Sequence, residues 1–582
     1  MHLITDPPKY LFFTGKGGVG KTSIACATAV YLADNGKRVL LVSTDPASNV
    51  AQVLGLTIGN SITAVVSVPG LSALEIDPEA AAEAYRERII APVRGLLPER
   101  EIASITEQLS GSCTTEVASF NEFTELLAND GLTANFDHVI FDTAPTGHTI
   151  RLLQLPGSWT DFLDAGKGDA SCLGPLAGLD KQRSTYASAV ATLQDATRTR
   201  LVLVTRAQSS ALNEIARTLH ELNAIGIHTS QIVLNGLLPD SAGGDLLATS
   251  IRERERAAIA NMPPEVAALP RDSIELKSDN MVGPPALRRL FRSADHLDVP
   301  TADSGNHGVV MRSLGSLVDE IETDGPCVVL CMGKGGVGKT TIATAIALAL
   351  ADRGNEVHLT TTDPAAHLTE TLHANVEHLR VSRIDPESAT AEYREHIMAT
   401  RGKSLDAMGR ANLTEDLLSP CTEEVAVFQQ FARAVLQAQN QYVIIDTAPT
   451  GHTLLLIDAT GSYHRDVARQ AGTEGSFRTA MMVLQDPTQA KVILVTLPEP
   501  TPVTEAAGLQ VDLQRAGISP WAWVVNNSLA AAEPDSVFLR QRAANESDHL
   551  AAVAAQSHKV ALVALQNAEP TGAELLLRLT KR

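Results

Sequence analysis

The chain is 582 residues long, 44% of them hydrophobic, with a formal net charge of -20 at pH 7. The apolar share is enough for large buried cores, while the surplus of acid excludes a general affinity for nucleic acid or anionic membrane surfaces. Six scattered cysteines (Cys26, Cys113, Cys172, Cys327, Cys331, Cys421) with no Cys-x-x-Cys pair exclude a disulfide framework and weigh against a structural zinc.

In chain order, short aliphatic and β-branched runs predict strands at residues 10–14, 38–44, 138–142, 201–205 and 232–235. A second series follows at 328–332, 357–362, 442–446, 492–496 and 523–526. Alanine-rich stretches between them, such as 23–33 and 342–351, predict helices. Nearly continuous apolar strands alternating with helices predict an α/β fold, here as two homologous domains, each a mostly parallel sheet flanked by helices. Such sheets bind ligands at the carboxyl ends of their strands. The punctuation of DVPTADSGNHG places a linker at 284–326, between domains at 1–283 and 327–582. No apolar run nears the roughly 20 residues that span a bilayer. The opening MHLITDPPKYLFF also lacks a secretory pattern, so a cytoplasmic location is expected.

The two series are an internal repeat. Thr44-Asp45-Pro46-Ala47 recurs at Thr362 with an offset of 318 residues, and Ile76-Asp77-Pro78-Glu79 recurs at Ile384 with 308. The segments LSGSCTTEVASF around Cys113 and LLSPCTEEVAVF around Cys421 also align at 308. DTAPTGHT, beginning at Asp142, recurs unchanged from Asp446 at 304, and Leu193-Gln194-Asp195 recurs at Leu484 with 291. The falling offset locates deletions of 10, 4 and 13 residues in the second copy, the last in the stretch that holds Cys172 in the first. Cys113 and Cys421 are therefore symmetry mates, and Cys172 is an addition to one copy.

The octapeptide GKGGVGKT appears in both copies: Gly15, Lys16, Gly17, Gly18, Val19, Gly20, Lys21 and Thr22, then Gly333, Lys334, Gly335, Gly336, Val337, Gly338, Lys339 and Thr340. After a strand and before a helix, such a loop cradles nucleotide phosphates. Lys21 and Lys339 would neutralise the terminal phosphates, and the Thr22 and Thr340 hydroxyls would bind Mg²⁺. Asp142 and Asp446, at strand ends, suit the second Mg²⁺ position. Asp45 and Asp363 would orient or deprotonate the attacking water, the plainer alternative being an Asp-Pro turn or helix cap. Asn235 and Asn526 would contact adenine, although asparagine at a strand end is more often turn chemistry. Lys16 and Lys334 come too early in the loop to be the phosphate lysine. Either they are solvated, or each reaches a nucleotide held by the other half, as an arginine finger does. That second use predicts two halves facing one another about a pseudo-twofold axis within a monomer.

Lone cysteines are ordinarily buried hydrophobes, the expectation for Cys26, Cys327 and Cys331. Cys113 and Cys421 sit instead among small polar residues at matched places. With Cys172 they would make a three-thiolate site suited to As(III) or Sb(III), with His148 and His452 within reach. Three buried structural thiols remain the alternative.

The extra-lysine loops, with TDPA and DTAPTGHT in both halves and CTEEVAVF in the second, resemble the arsenite-translocating ATPase family (ArsA) over essentially the whole chain. The resemblance implies an ATP- and Mg²⁺-dependent ATPase stimulated by As(III) or Sb(III). It implies that the enzyme energises extrusion through a membrane pump, ArsB, and receives metalloid from the chaperone ArsD. It puts metalloid thiols on Cys113, Cys172 and Cys421, and accessory ligands on His148, Ser419 and His452. The DTAPTGHT segment would then link the Mg²⁺ aspartate at one end to a metalloid-side histidine at the other. A competing resemblance is to carriers that shield the tail segments of membrane proteins. Those are zinc-clasped dimers with a Cys-x-x-Cys pair and a long apolar groove. This chain has no such pair and only a short, glycine-broken insertion between Arg151 and Tyr186.

Overall fold

In the computed structural model, the residues described are 1–45, 50–91, 112–143, 179–227, 229–292, 311–363, 376–400, 402–406, 421–438, 441–448 and 478–581, with a few single residues between. They form two compact units. One comprises Met1–Pro239 with Arg252–His296, the other Asp240–Ile251 with Leu297–Arg582.

The first unit is built on an eight-stranded sheet of β1 (Tyr10–Thr14), β2 (Val39–Ser43), β3 (Thr63–Ala64), β4 (Leu71–Glu75), β5 (His138–Asp142), β6 (Thr199–Thr205), β7 (Thr229–Leu237) and β8 (Arg271–Glu275). Its order is β3-β4-β2-β5-β1-β6-β7-β8, parallel except for the β3–β4 pair. The second unit has seven parallel strands: β9 (Val328–Met332), β10 (Val357–Thr361), β11 (Leu379–Arg383), β12 (Tyr442–Asp446), β13 (Ala490–Thr496), β14 (Pro520–Ser528) and β15 (Val560–Ala564). Their order is β11-β10-β12-β9-β13-β14-β15. The ten predicted strands are all present, and the mostly parallel α/β expectation holds in each unit. Strands β3, β4, β8, β11 and β15 were not expected. RDSIE in β8 and LRVSR in β11 carry too many charges to read as buried runs, and edge positions tolerate those charges.

Alternation along each strand feeds two cores. Leu11 and Phe13 of β1 join a cluster with Ile24, Val30 and Val204, whereas Tyr10 and Phe12 join one with Phe123, Phe141 and Leu203. In β9, Val329 and Cys331 face one cluster, and Val328, Leu330 and Met332 the other. Both faces of each sheet are thus covered, as period-two strands sandwiched between helices require. Within the 284–326 stretch, helix Pro284–Leu290 buries Leu287 and Leu290 in the first unit, and helix Leu314–Asp324 buries Leu317, Val318 and Ile321 in the second.

Strand register sets up the site. Asp142 pairs with Phe13 of β1 and Ser43 of β2. Asp446 pairs likewise with Cys331 of β9 and Thr361 of β10. The strand that carries each aspartate therefore ends level with the two strands that carry the glycine loop and the Thr-Asp-Pro turn.

Candidate nucleotide sites

Each glycine loop leaves a central strand and enters a 14-residue helix, Lys21–Asp34 or Lys339–Asp352. Gly15 and Gly333 have φ of 149° and 146°, and a Cβ on either would strike the carbonyl of Val204 or Val495 on the neighbouring strand. Gly20 and Gly338 cap their helices in the left-handed region without a side-chain hydrogen bond to the first turn. Several N–H groups at a helix N-terminus are thereby left to an anion. Val19 and Val337 are buried and pin the loops to the core.

Lys21 and Lys339, expected on the terminal phosphates, are folded back on their own loops. Lys21 Nζ donates to the Lys16 carbonyl at 3.1 Å, and Lys339 Nζ to the Lys334 carbonyl at 3.0 Å. The preceding lysines are held as well: Lys16 Nζ lies 3.1 Å from Glu214 Oε2, and Lys334 is paired with Glu505. Asn235 and Asn526, expected against adenine, donate their amide hydrogens to the carbonyls of Val19 (2.8 Å) and Val337 (3.0 Å). In this geometry they brace the loops.

Around Asp446 the polar groups converge. Its Oδ2 accepts from Thr340 Oγ1 at 2.8 Å and from Thr361 Oγ1 at 3.1 Å. Its buried Oδ1 has no hydrogen-bond partner among the described residues. Burial, with a smaller push from Asp363, raises this carboxyl to about 6 against the pull of Lys339. Thr447 Oγ1 donates to the Cys331 carbonyl and Thr143 Oγ1 to that of Phe13, each at 2.8 Å, which fixes the residue after each strand-end aspartate. Asp363 N donates to Thr361 Oγ1 at 3.0 Å and Asp45 N to Ser43 Oγ at 3.4 Å, placing both aspartates just beyond β10 and β2. A buried, unsatisfied carboxylate oxygen beside a threonine hydroxyl suits a Mg²⁺ ion, a hard cation bound through oxygen.

Of the sulfur residues, Cys113 lies in the first turn of helix Ser112–Ala128, and Cys421 opens helix Cys421–Leu436. Phe123, further along the first of these helices, packs edge-on against Phe12 and Phe141, tying it to β1 and β5. Cys172, His148, Ser419 and His452 lie outside the described residues. Cys26, Cys327 and Cys331 are buried free thiols, as expected, and burial raises the pKa of each, Cys327 to about 11. Glu214, Glu505 and Thr361 were missed in the sequence. Glu214 and Glu505 are related by the 291-residue offset that relates Leu193 to Leu484, so the repeat held the signal.

A family model described as anion-transporting ATPase matches residues 8–293, 327–471 and 461–582. An arsenical pump-driving ATPase of Escherichia coli is 57% identical over 582 residues, covering 100% of both chains. One from Acidiphilium multivorum is 56% identical over the same span. An ATPase GET3 of Eremothecium gossypii is 34% identical over 253 residues, or 40% of this chain. Each repeat carries its own strand–glycine loop–helix unit, and the likeness runs the full length of both. The chain belongs to the anion-transporting ATPase family, whose members hydrolyse ATP.

Proposed function

We propose that this chain is a cytoplasmic ATPase, stimulated by As(III) or Sb(III), that drives extrusion of the metalloid through a membrane pump of the ArsB kind. A chaperone of the ArsD kind would supply the metalloid. Full-length likeness to arsenical pump-driving ATPases supports the reading, and the partial match to the GET3 ATPase leaves most of the chain unaccounted for. The observation that carries it is the placement of Cys113 and Cys421 at matching helix N-termini in the two repeats. A helix N-terminus favours the thiolate, the form that binds soft trivalent ions. Cys172 would complete the three thiolates, with His148, Ser419 and His452 as accessory ligands. Among the described residues no helix is long and apolar enough to cross a membrane.

In each repeat the glycine loop would bind the phosphates through its N–H groups and Lys21 or Lys339. Thr22 with Asp142, and Thr340 with Asp446, would hold Mg²⁺, which when bound neutralises phosphate charge. Asp45 and Asp363 would orient the attacking water. Lys16 and Lys334 would act in phosphoryl transfer on the nucleotide of the opposite repeat, and Asn235 and Asn526 would turn to the adenine. Metalloid capture by cysteines drawn from both repeats would favour the state in which those lysines act.

The test is ATP hydrolysis with and without antimonite. Cys113→Ser and Cys421→Ser should each abolish stimulation while leaving the unstimulated rate within about twofold, since neither residue belongs to a glycine loop. Undiminished stimulation in both variants would refute the metalloid assignment.

A further inference from the structure

Both loop-entry lysines are held by a carboxylate of their own unit. Lys16 meets Glu214 on helix Ser209–Ala224, and Lys334 meets Glu505 on helix Pro500–Arg515. Leu212 and Ile215, and in the second unit Val503 and Ala506, bury the flanks of these helices, so each carboxylate is presented from a fixed scaffold. Glu214 and Glu505 are only 16% and 11% exposed, well sheltered for surface acids. The backbone of each held lysine is engaged too, its carbonyl accepting from the phosphate lysine. One residue thus has its side chain tied to a carboxylate and its peptide tied to the group that must swing onto the arriving phosphate.

We infer that Glu214 and Glu505 are positioning residues that park Lys16 and Lys334 away from the chemistry and so hold down the unstimulated rate. A phosphate that draws Lys21 or Lys339 off the lysine carbonyl loosens the peptide that carries the parked side chain. The parked ion pair then competes with the nucleotide for one ammonium group. A conformational state that offers the lysine a better anion wins that competition, because a shift in population needs only a difference in affinity between the two states. The same arrangement in both repeats means that each site carries its own restraint. The inference rests on the reading of Lys16 and Lys334 as acting lysines.

In the full chain, Glu214→Gln and Glu505→Gln should each raise unstimulated kcat severalfold, on the order of fivefold for loss of one half-sheltered ion pair. KM for ATP should hold within about twofold and the antimonite-stimulated kcat should stay unchanged, so the stimulation ratio falls by the same factor. Glu214→Asp and Glu505→Asp, which keep the charge, should return the unstimulated rate toward that of the native protein. Zero-length carbodiimide coupling gives an independent reading on the native chain. Lys16–Glu214 and Lys334–Glu505 cross-links should form without nucleotide and be lost with a non-hydrolysable ATP analogue, Mg²⁺ and antimonite. An unchanged or lowered unstimulated rate in the Gln variants, or cross-links indifferent to loading, overturns the parking role. Lys16→Ala with Lys334→Ala separates the two readings. If that variant hydrolyses ATP at the native rate, the acting-lysine reading has failed. If it is inactive while the Gln variants behave as the native chain, only the parking role has failed.

Discussion

Asp446 is the clearest single residue under tension. It is buried, half satisfied by two threonine hydroxyls, and carries a carboxyl raised to about 6 by loss of solvent. A buried carboxylate raised in this way lowers the stability of the protein, a trade common where such a group serves a function. Asp446→Asn should therefore raise the melting temperature of the nucleotide-free chain by several degrees, the rise from an ordinary aspartate's 3.8 to about 6 setting a ceiling of about 3 kcal/mol. The same change should remove Mg²⁺-dependent hydrolysis at the second site. A melting temperature that falls would show that the charge is compensated by more than the threonines. Asp446 stood out in the sequence by its place at the end of an apolar strand, and the structure sets it beside Thr340. That Thr361 shares this carboxylate was not legible there, because the contact depends on how β10 and β12 align.

At the level of elements, the repeat conceals a difference inside the sheet. His358 on β10 occupies the position of Leu40 on β2, at the 318-residue offset. It is buried, bonded to Gln437 Oε1 at 3.1 Å and Ser382 Oγ at 2.8 Å, and Ser382 in turn donates to Thr360 at 2.9 Å. Burial first, then the charge of Arg380, lowers its pKa below 6.5. The native state therefore binds fewer protons than the unfolded chain as pH drops through 6.5, and this contribution to stability is lost as pH falls. Urea midpoints measured from pH 7.5 to 5 should decline, and His358→Leu, restoring the first repeat's residue, should flatten that decline. An unaltered slope in the variant would assign it to other groups. Strands rich in valine and isoleucine were readable because burial on both faces demands apolar residues throughout. Edge strands β8 and β11 were not, since β8 buries only alternate residues and β11 buries none fully.

For the whole molecule, chain order and compact units do not coincide. Residues Asp240–Ile251 precede the stretch read as a linker, yet they group with the second unit. Asp245 there accepts from Ala248 N at 2.6 Å, in the helix Leu246–Ala260 that it precedes, and from the N–H groups of Asp535 and Ser536 at 2.9 and 3.0 Å. Ser536 Oγ donates to the Ala242 carbonyl. Removing this carboxylate strands three donors, so Asp245→Ala should cost about 1–3 kcal/mol in chemical denaturation. Asp245→Asn, which keeps an acceptor oxygen, should recover much of that loss. Equal midpoints for the alanine variant and the native chain would mean that solvent satisfies these groups.

The sequence by itself determined the duplication, the two glycine loops between strand and helix, their strand-end aspartates and the family, because glycine geometry, apolar period and motif spacing are local properties written along the chain. Only the tertiary structure decided that Glu214 and Glu505 hold the loop lysines, that Asn235 and Asn526 brace the loops, and that Asp240–Ile251 belongs with the second unit. Each of these depends on which donor finds which acceptor, and the partners lie from about a hundred and seventy to nearly three hundred residues apart. No local pattern encodes such pairings; they follow from folding, which satisfies most of the polar groups that it removes from water.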